Sequence, residues 1–389
     1  MKGIATPLSL AFSPYLGVSA FIIAFLIPVL AAGAGEPHIV GYYAEWKKHY
    51  PVEKIPADKL THVNYAFAII DKDGRCAPRM PELAKENFPK LVALKAKHPH
   101  LRTLISVGGW ADSERFSDAA LTELSRAVFA KSCADFAREH QLDGVDIDWE
   151  FPVSGGDKDH VARPQDKQNF TLLLAELRKH LDERGKADGK RYLLTIAAPA
   201  GGLGRMEVDR IHPLLDFINI MAYDFAGPWS RTTGFNAALH PVPGQPEQAS
   251  ASASVEAYLK AGVPPEKLVL GVPFYGRAWT GVEPNGDGLF QPRDAGAGKG
   301  TKPPADDYRE LKNDRDGAAG KRFWHEQAKV PWMWNPQTRV FVSYDDPESL
   351  RLKAEYSRDQ KLGGVMFWEL EHDDEQSSLL NALHEELKK

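Results

Sequence analysis

Short apolar runs alternate with stretches of helical pattern along most of the chain. The runs are rich in Val, Ile, Leu and aromatic residues, and several are apolar at both odd and even positions, which is typical of strands buried on both faces of a parallel sheet. We predict eight such strands, at residues 39–43, 62–70, 102–107, 144–149, 192–198, 217–221, 268–273 and 364–368.

Between these strands, apolar residues recur at helical spacing. Residues 170–181 repeat apolar side chains in an i, i+3, i+4 rhythm, and a shorter helix around Tyr258 ends before Gly262. Asp346 followed by Pro347 predicts the start of another helix. Eight strands in a βα rhythm predict an α/β fold of the closed (β/α)8 barrel type, the TIM barrel, rather than a doubly wound sheet.

The rhythm is interrupted between Gly276 and Ser343. No simple crossover helix fits this interval, which contains Gly-, Asp- and Pro-rich loops and then the apolar segments 323–324, 332–334 and 340–342. We therefore predict a small α+β insertion between the seventh and eighth barrel strands, with the Gly/Lys-rich stretch 294–304 as a flexible loop. The predicted domains are an export signal at 1–34, a barrel formed by 35–275 and 344–389, and the insertion at 276–343.

The first residues differ from the rest of the chain. Met1 and Lys2 precede an apolar run at 15–32, and the run ends in Ala32-Gly33-Ala34, a small-residue cleavage pattern. This pattern predicts an export signal cut after residue 34, and hence a secreted or periplasmic protein. An uncleaved N-terminal anchor is the alternative, because the run is nearly long enough to span a bilayer.

Charge and cysteine content narrow the class of protein. With 48 Lys and Arg against 53 Asp and Glu, the formal charge is −5, so the chain lacks the basic excess that nucleic-acid binding requires. Its two cysteines, Cys76 and Cys133, exclude a disulfide-framed scaffold and a multi-cysteine zinc site. Nothing in the sequence places the two together, so we predict free thiols.

The most informative stretch is the predicted fourth strand, which reads DGVDIDWE over 143–150. Because side chains alternate between the faces of a strand, Asp146, Asp148 and Glu150 share one face and stand about 6.5–7 Å apart at the backbone. Carboxyl groups so close cannot all ionise cheaply, so at least one pKa rises and the set titrates as a coupled group. A carboxyl group held protonated near neutral pH is what a general acid requires.

Other interpretations of this stretch fit less well. A solvated acidic loop would not interleave Val, Ile and Trp, and a Ca²⁺ loop requires a central Gly and a late Glu. A two-metal hydrolase would usually contribute His ligands, and none is adjacent. Barrel enzymes place their chemistry at the C-terminal ends of the strands, where Glu150 falls. We therefore predict a catalytic carboxylate set that uses no metal and no cofactor.

Polar and aromatic residues also mark the ends of other predicted strands. A single aromatic residue at a strand end is more often part of the core than of a binding site. Together, these ends bring carboxylates, phenols and indoles to one mouth of the barrel, and this combination suits a sugar, which offers hydroxyls to polar groups and C–H faces to rings. The segments concerned are 42–43, 106–110, 221–224, 275–277 and 368–369.

At these residues the chain resembles the family-18 glycoside hydrolases, the chitinase family. The stretch 143–150 contains the family's DxxDxDxE signature in full, 106–109 its SxGG motif and 221–224 its MxYD motif, and 364–368 matches the final strand. The resemblance covers about 38–387, and the predicted insertion resembles the α+β domain of bacterial chitinases with deep clefts. One difference follows strand eight, where the family often has Ser-Gly-Asp and this chain has Glu371-His372-Asp373.

The resemblance implies substrate-assisted hydrolysis of β-1,4-linked N-acetylglucosamine, an exception to the ordinary two-carboxylate scheme. Glu150 would protonate the leaving oxygen while the sugar's own acetamido oxygen attacks C1. Asp148 would bind the acetamido N–H and share a proton with Asp146, and Tyr223 would donate to the acetamido oxygen. The implied substrate-binding residues are Tyr42, Phe67, Ser106, Trp110, Met221, Asp224, Trp229, Tyr275, Arg277 and Trp368.

Within this set, the resemblance assigns Trp368 to the floor beneath the cleaved sugar and Trp110 and Trp229 to stacking positions on the leaving-group side. Packing beneath a loop is the alternative for either of the last two. Two other activities are alternatives on the same fold: a non-catalytic chitin-binding lectin, which would lack the terminal acid present here, and an endo-β-N-acetylglucosaminidase acting on N-glycans or peptidoglycan. We predict a monomeric chitinase that binds chitin or a chito-oligosaccharide, with no nucleic-acid partner and no stable membrane insertion after signal cleavage.

Overall fold

The computed structural model describes residues 36–46, 50–246, 249–294, 306–313 and 320–389, together with Met1 and Gly3. The predicted export signal lies outside the described residues except for Met1 and Gly3, and so does the predicted flexible loop except for Asp294. Within the described part of the chain, no helix combines the length and the apolar character needed to cross a membrane.

A closed parallel barrel forms the main part of the fold. The described strands are β1 (His38–Ala44), β2 (His62–Ile70), β3 (Cys76–Pro78), β4 (Arg102–Gly108), β5 (Gly144–Asp148), β6 (Leu193–Pro199), β7 (Phe217–Met221), β8 (Leu268–Pro273), β9 (Arg277–Trp279), β10 (Lys321–His325), β11 (Val330–Asn335), β12 (Val340–Ser343) and β13 (Gly364–Trp368). Eight of them run parallel in the order β1-β2-β4-β5-β6-β7-β8-β13, and β13 pairs with β1 to close the barrel. The barrel prediction is confirmed, and the ends of the predicted strands agree to within one residue.

Helices connect the barrel strands on the outside. Asp346 caps one of them as predicted, because its side chain accepts from the backbone N–H groups of Glu348 at 3.0 Å and Ser349 at 3.1 Å. The described helices are α1 (Pro81–Lys97), α2 (Phe116–Ala119), α3 (Glu123–Glu139), α4 (Asp166–Asp188), α5 (Val208–Ile211), α6 (Ala251–Lys260), α7 (Tyr308–Asn313), α8 (Pro347–Asp359) and α9 (Ser378–Leu387), with short 3₁₀ turns at Val52–Lys54, Leu203–Arg205, His212–Leu214, Pro265–Lys267 and Leu370–His372.

The alternation of side chains along β5 separates the apolar core from the barrel interior. Val145 belongs to the core shared with the helices, and Trp149 packs face to face on Phe116 with ring centroids 5.4 Å apart. On the opposite face, Asp146 and Asp148 are both buried. The apolar face therefore fixes the register that turns the two carboxyl groups inward, because a shift of one residue would exchange the faces.

A second sheet lies between β8 and β13 in the chain. Its strands β9, β10, β11 and β12 pair antiparallel in the order β10-β11-β12-β9, and α7 precedes β10. Its core contains Trp279, Trp332, Trp334 and Phe341, which are at most 3% exposed. The predicted α+β insertion between the seventh and eighth barrel strands is therefore present.

An ion pair is buried where the chain returns from the insertion to the barrel. Lys353 Nζ on α8 lies 2.7 Å from both carboxyl oxygens of Asp345, which follows β12, and both side chains are 1% exposed. Ser349 Oγ donates to the same carboxylate at 2.7 Å. Burial raises the pKa of Asp345 and lowers that of Lys353, whereas the attraction between the two charges opposes both shifts.

We expect Lys353→Met to destabilise the protein by about 3–5 kcal/mol, because Asp345 would stay buried without its counter-ion. Urea unfolding followed by tryptophan fluorescence measures the effect. Arg351→Met, at an exposed position of the same helix, is the matched control and should change the free energy of unfolding by no more than about 0.5 kcal/mol. Equal effects of the two substitutions would contradict a stabilising role for the buried pair.

Candidate active site

A cleft of about 1510 Å³ opens where the barrel strands end. The barrel gathers residues from nearly the whole length of the chain at this place, since each strand contributes its own C-terminal end. Asp146 and Ser106 are fully buried and do not line the cleft. The other site residues predicted from the sequence all line it: Tyr42, Phe67, Trp110, Asp148, Glu150, Met221, Tyr223, Asp224, Trp229, Tyr275, Arg277 and Trp368.

Asp146 is held by hydrogen bonds from four strands. Its Oδ2 accepts from the Tyr42 phenol at 2.7 Å and from Ser106 Oγ at 2.8 Å. Its Oδ1 accepts from Thr195 Oγ1 at 2.6 Å and, at the longer distance of 3.4 Å, from Asn219 Nδ2. Complete burial raises the pKa of Asp146, while these hydrogen bonds act in the opposite direction by stabilising its ionised form.

Asp148 follows Asp146 along β5 toward the cleft, and only 4% of it is exposed. Burial, and then the charges of Glu150 and Asp146, hold its pKa well above the usual range for an aspartate. Its Oδ1 is buried without a hydrogen-bond partner among the described residues. The oxygens of Asp146 accept from other strands instead, so the proton shared between Asp146 and Asp148 stays a prediction.

Glu150 lies just beyond the end of β5 and lines the cleft. Burial, and then the charge of Asp224, raise the pKa of its carboxyl group to about 8. A carboxyl group with this pKa is protonated at neutral pH and can give its proton to a bound ligand. In the described part of the chain, no group of His, Cys, Asp and Glu side chains has the arrangement of a metal site.

Ser113, which is not among the site residues predicted from the sequence, fixes the backbone that carries Glu150. Its hydroxyl oxygen accepts from the Glu150 N–H at 2.9 Å and lies within donating distance of the carbonyl oxygens of Gly109, at 2.9 Å, and Asp148, at 3.1 Å. Ser113 is 1% exposed, so these contacts are shielded from water. A single serine in a loop has no periodic signal that could have revealed this role.

Tyr223 and Asp224, which follow β7, line the cleft together with Arg277 on β9. Burial, and then the charge of Asp148, raise the pKa of the Tyr223 phenol well above its usual range, so the phenol remains a donor. Arg277 Nε and a terminal guanidinium nitrogen bind the two carboxyl oxygens of Asp224 at 2.7 and 2.8 Å. This two-point contact fixes the orientation of both side chains.

Aromatic rings form one end of the cleft. Trp368 stacks on Phe67 with ring centroids 5.7 Å apart and planes inclined by 15°, and its centroid lies 5.6 Å from that of Tyr42. Trp46 extends this group, since it stacks on Phe67 at 6.0 Å and also lines the cleft. Trp46 is not among the site residues predicted from the sequence, although its position just after the first strand could have indicated that it reaches the cleft.

Trp110 and Trp229 are exposed at the rim of the cleft. Their exposed fractions are 54% and 61%, which is far more than a residue packed beneath a loop would show. The Arg277 guanidinium lies 5.4 Å from the centre of the Trp229 ring and so limits where this side chain can move. Both indoles are therefore available to a ligand, as the stacking interpretation requires.

The loop that differs from the usual family pattern also reaches the cleft. His372 lines it, and its Nε2 lies 3.0 Å from Asp307 Oδ1 and 3.0 Å from Glu369 Oε1. Asp373 instead caps α9 by accepting from the backbone N–H of Leu379 at 3.1 Å. Asp307 and His372 are not among the predicted site residues, because their contact depends on how the insertion meets the barrel.

The fold, the carboxyl groups on β5 and the aromatic cleft together are those of a carbohydrate-cleaving barrel enzyme. The sequence profile described as Glycosyl hydrolases family 18 matches residues 38–373. The chain therefore belongs to this family, and the resemblance drawn from the motifs is confirmed.

Comparison with individual proteins gives the same result. Chitinase A1 of Niallia circulans is 39% identical over 420 aligned residues, which cover 93% of this chain and 60% of that protein, so the chain spans only part of this relative. The structure of chitinase ChiA74 from Bacillus thuringiensis matches with a TM-score of 0.84 and 36% identity, over 91% of this chain and 70% of that one. A family 18 N-acetylglucosaminidase from Paenibacillus barengoltzii matches with a TM-score of 0.80 and 36% identity, over 90% and 99%.

We expect Asp224→Asn to lower the pKa of Glu150 from about 8 toward the usual range of a glutamate, because it removes the negative charge that opposes ionisation of Glu150. Carbon NMR of ¹³C-labelled glutamate side chains, followed against pH, measures this pKa. Asp306→Asn, which removes a different charge from the cleft wall, is the control and should leave it unchanged. The same pKa in both variants would show that Asp224 does not influence Glu150.

Proposed function

We propose that this protein hydrolyses the β-1,4 linkages between N-acetylglucosamine units of chitin and chito-oligosaccharides by a retaining, substrate-assisted mechanism. The observation that carries the proposal is the position of Glu150, whose pKa is raised to about 8, in a cleft with aromatic rings at its floor and rim. Rings of this kind bind the C–H faces of sugars, while the acid faces a bridging oxygen. The relatives named as chitinases support the same substrate class.

In the first step, Glu150 acts as general acid. Its proton passes to the bridging oxygen, the bond between C1 and this oxygen breaks, and the leaving sugar departs as an alcohol. The acetamido oxygen of the sugar that retains C1 attacks from the opposite face and closes an oxazolinium ring. Glu150 becomes a carboxylate. Asp148 stays protonated because its pKa is raised, so the two adjacent carboxyl groups do not both carry a negative charge.

Asp148 and Tyr223 would position the acetamido group for this attack. Asp148 lines the cleft, and its Oδ1 has no hydrogen-bond partner among the described residues, so a rotation of the carboxyl group would let it accept the acetamido N–H. The Tyr223 phenol stays protonated and can donate to the acetamido oxygen. Two contacts on one small group hold its oxygen close to C1, and such positioning contributes strongly to the rate of an intramolecular reaction.

A water molecule completes the reaction. The Glu150 carboxylate accepts a proton from the water, the water oxygen bonds to C1, and the bond from C1 to the acetamido oxygen breaks. Glu150 is protonated again and the acetamido group is restored. Because C1 is inverted in both steps, the product keeps the β configuration of the substrate.

The remaining residues of the cleft would bind the sugar chain. Trp368 forms the floor beneath the cleaved sugar, and Trp110 and Trp229 hold successive sugars on the leaving-group side. Ser106 acts from below, through its hydrogen bond to the buried carboxylate. The other residues that we assign to the cleaved sugar are Tyr42, Phe67, Met221, Asp224, Tyr275 and Arg277.

We also propose that the protein is exported, with a signal at 1–34 that is removed, and that it acts outside the cytoplasm as a monomer without a metal or a cofactor. The apolar run at 15–32 and the small residues that follow it support export. In the proposed domain division, 35–275 and 344–389 form the catalytic barrel and 276–343 the insertion. The insertion raises one wall of the cleft through residues such as Arg277 and Asp307.

An N-acetylglucosaminidase is the second candidate, because the solved structure with this description is 36% identical and this chain covers 99% of it. Such an enzyme needs only a short site. The size of the cleft and the exposed indoles of Trp110 and Trp229 favour a longer substrate instead. A non-catalytic lectin is disfavoured, since it has no use for the protonated Glu150.

The proposal is tested by incubating the protein with colloidal chitin, fully deacetylated chitosan, an N-glycosylated protein and murein. We expect release of chito-oligosaccharides from chitin alone. Chitosan should resist cleavage because it lacks the acetamido oxygen that acts as the nucleophile. The first product, resolved by proton NMR, should be the β anomer. Cleavage of chitosan or an initial α anomer would contradict the substrate-assisted mechanism, and preferred cleavage of the glycoprotein or of murein would support the endo-β-N-acetylglucosaminidase alternative.

Glu150→Gln provides the control for this experiment. It keeps the size and hydrogen-bonding capacity of the side chain but has no proton to give, so we expect hydrolysis to fall by about 10²–10⁴-fold with little change in oligosaccharide affinity. Glu82→Gln, at an exposed position on α1, should behave as the unsubstituted protein. Near-normal turnover by Glu150→Gln would remove Glu150 from its role.

We expect Trp229→Ala to reduce activity on crystalline chitin about fivefold, because a stacked ring contributes on the order of 1 kcal/mol to binding a long chain. Turnover of a short soluble oligomer should change much less. Trp324→Ala, which removes a partly exposed tryptophan outside the cleft, is the matched control. Equal losses on both substrates, with a lower melting temperature, would show that Trp229 is a packing residue.

A further inference from the structure

Two cysteines that the sequence separates lie side by side in the fold. Cys76 is the first residue of β3, and Cys133 lies on α3, which packs against β3. The backbone N–H of Cys76 donates to Ser132 Oγ at 2.9 Å, and Ser132 is the residue before Cys133. The Cys76 thiol is close enough to contribute to the raised pKa of the Cys133 thiol. Both cysteines are free thiols in the structure, as predicted, but the premise that nothing brings them together is wrong, because β3 does so.

The surroundings of this pair exclude a role in the cleft. Both residues belong to the apolar core beneath the helices, and neither lines the cleft. Cys133 is completely buried and Cys76 is 8% exposed. Burial raises the pKa of the Cys133 thiol well above its usual range, so the folded protein presents it as a weak nucleophile and a poor metal ligand. The two cysteines therefore either remain buried thiols or form a disulfide bond with each other.

We propose that Cys76 and Cys133 form a structural disulfide when the chain folds in an oxidising medium. A disulfide requires the two backbone segments to lie close together, and they do so here through the packing of α3 on β3 and the hydrogen bond from Cys76 N–H to Ser132. The bond closes a loop that contains α1, β4 and α2, and it ties the short antiparallel β3 to α3. Cross-linking a loop of this kind restricts the unfolded chain and so stabilises the folded protein.

The oxidant is a disulfide donor, either a small disulfide such as oxidised glutathione or a protein disulfide. One cysteine thiolate attacks a sulfur of the donor and releases one donor thiol. The second cysteine then attacks the mixed disulfide and releases the other donor thiol, so that the donor accepts both electrons and both thiol protons. Because the thiols are buried and protonated in the folded state, we place this exchange during folding, before α3 covers Cys133.

The test is to refold the full chain from denaturant, once with a mixture of oxidised and reduced glutathione and once with a reductant alone. Each sample is then quenched in acid, denatured and treated with N-ethylmaleimide, and its intact mass is measured. We expect no adduct and a mass lower by two hydrogen atoms after oxidative refolding, and two adducts after reductive refolding. Two adducts after oxidative refolding, a glutathione adduct, or a disulfide between two chains would overturn the proposal.

Cys133→Ala separates the disulfide from the packing of either residue. In the unsubstituted protein, oxidative refolding should raise the melting temperature by several degrees over reductive refolding. In Cys133→Ala this difference should vanish, whatever the substitution itself does to stability. Hydrolysis of a short oligomer should be the same for the oxidised and reduced proteins, since the pair lies outside the cleft, so the result does not depend on the proposed activity. An equal melting temperature for both forms of the unsubstituted protein would contradict a stabilising disulfide.

Discussion

Asp146 is a buried carboxyl group inside the barrel, and four strands supply hydrogen-bond donors to it. Tyr42 on β1, Ser106 on β4, Thr195 on β6 and Asn219 on β7 all donate to its two oxygens. A buried carboxylate without such donors costs several kcal/mol or takes up a proton. The four strands must therefore present these groups in register, so the closure of the barrel and the polarity of the site depend on the same hydrogen bonds.

The same carboxyl group influences the protons of its neighbours along β5. The donors around Asp146 stabilise its ionised form, and Asp148 has no such donors, so a single negative charge shared between the two belongs on Asp146. Its repulsion helps to keep the proton on Asp148. Glu150 keeps its own proton because of burial and the charge of Asp224, and its half-buried carboxyl group lines the cleft. Along β5, the negative charge therefore lies on Asp146 in the interior, and the proton available to a ligand lies on Glu150 at the cleft.

How much of this arrangement could be predicted depends on the range of the interactions involved. The period-two alternation of β5 is a local property, and it was enough to place Asp146 and Asp148 on the inner face. Contacts of Ser113 and His372 depend on loops whose paths are set by distant parts of the chain, so no local pattern indicates them. The proximity of the two cysteines could not be predicted for the same reason, since the strand β3 that positions Cys76 is only three residues long.

The insertion contributes Arg277 and Asp307 to one wall of the cleft, and polar contacts of these two residues connect it to the barrel. Arg277 binds the carboxylate of Asp224 after β7 through two hydrogen bonds, and Asp307 contacts His372 from the loop after β13. Apolar surfaces lose little energy when they slide by a small distance, because burial is non-directional, whereas a charged hydrogen bond weakens as soon as its atoms separate or turn. The charged hydrogen bonds therefore fix the position of this wall, and with it the guanidinium of Arg277. The loop in which this chain differs from the usual family pattern contributes one of these contacts, because His372 lies 3.0 Å from Asp307.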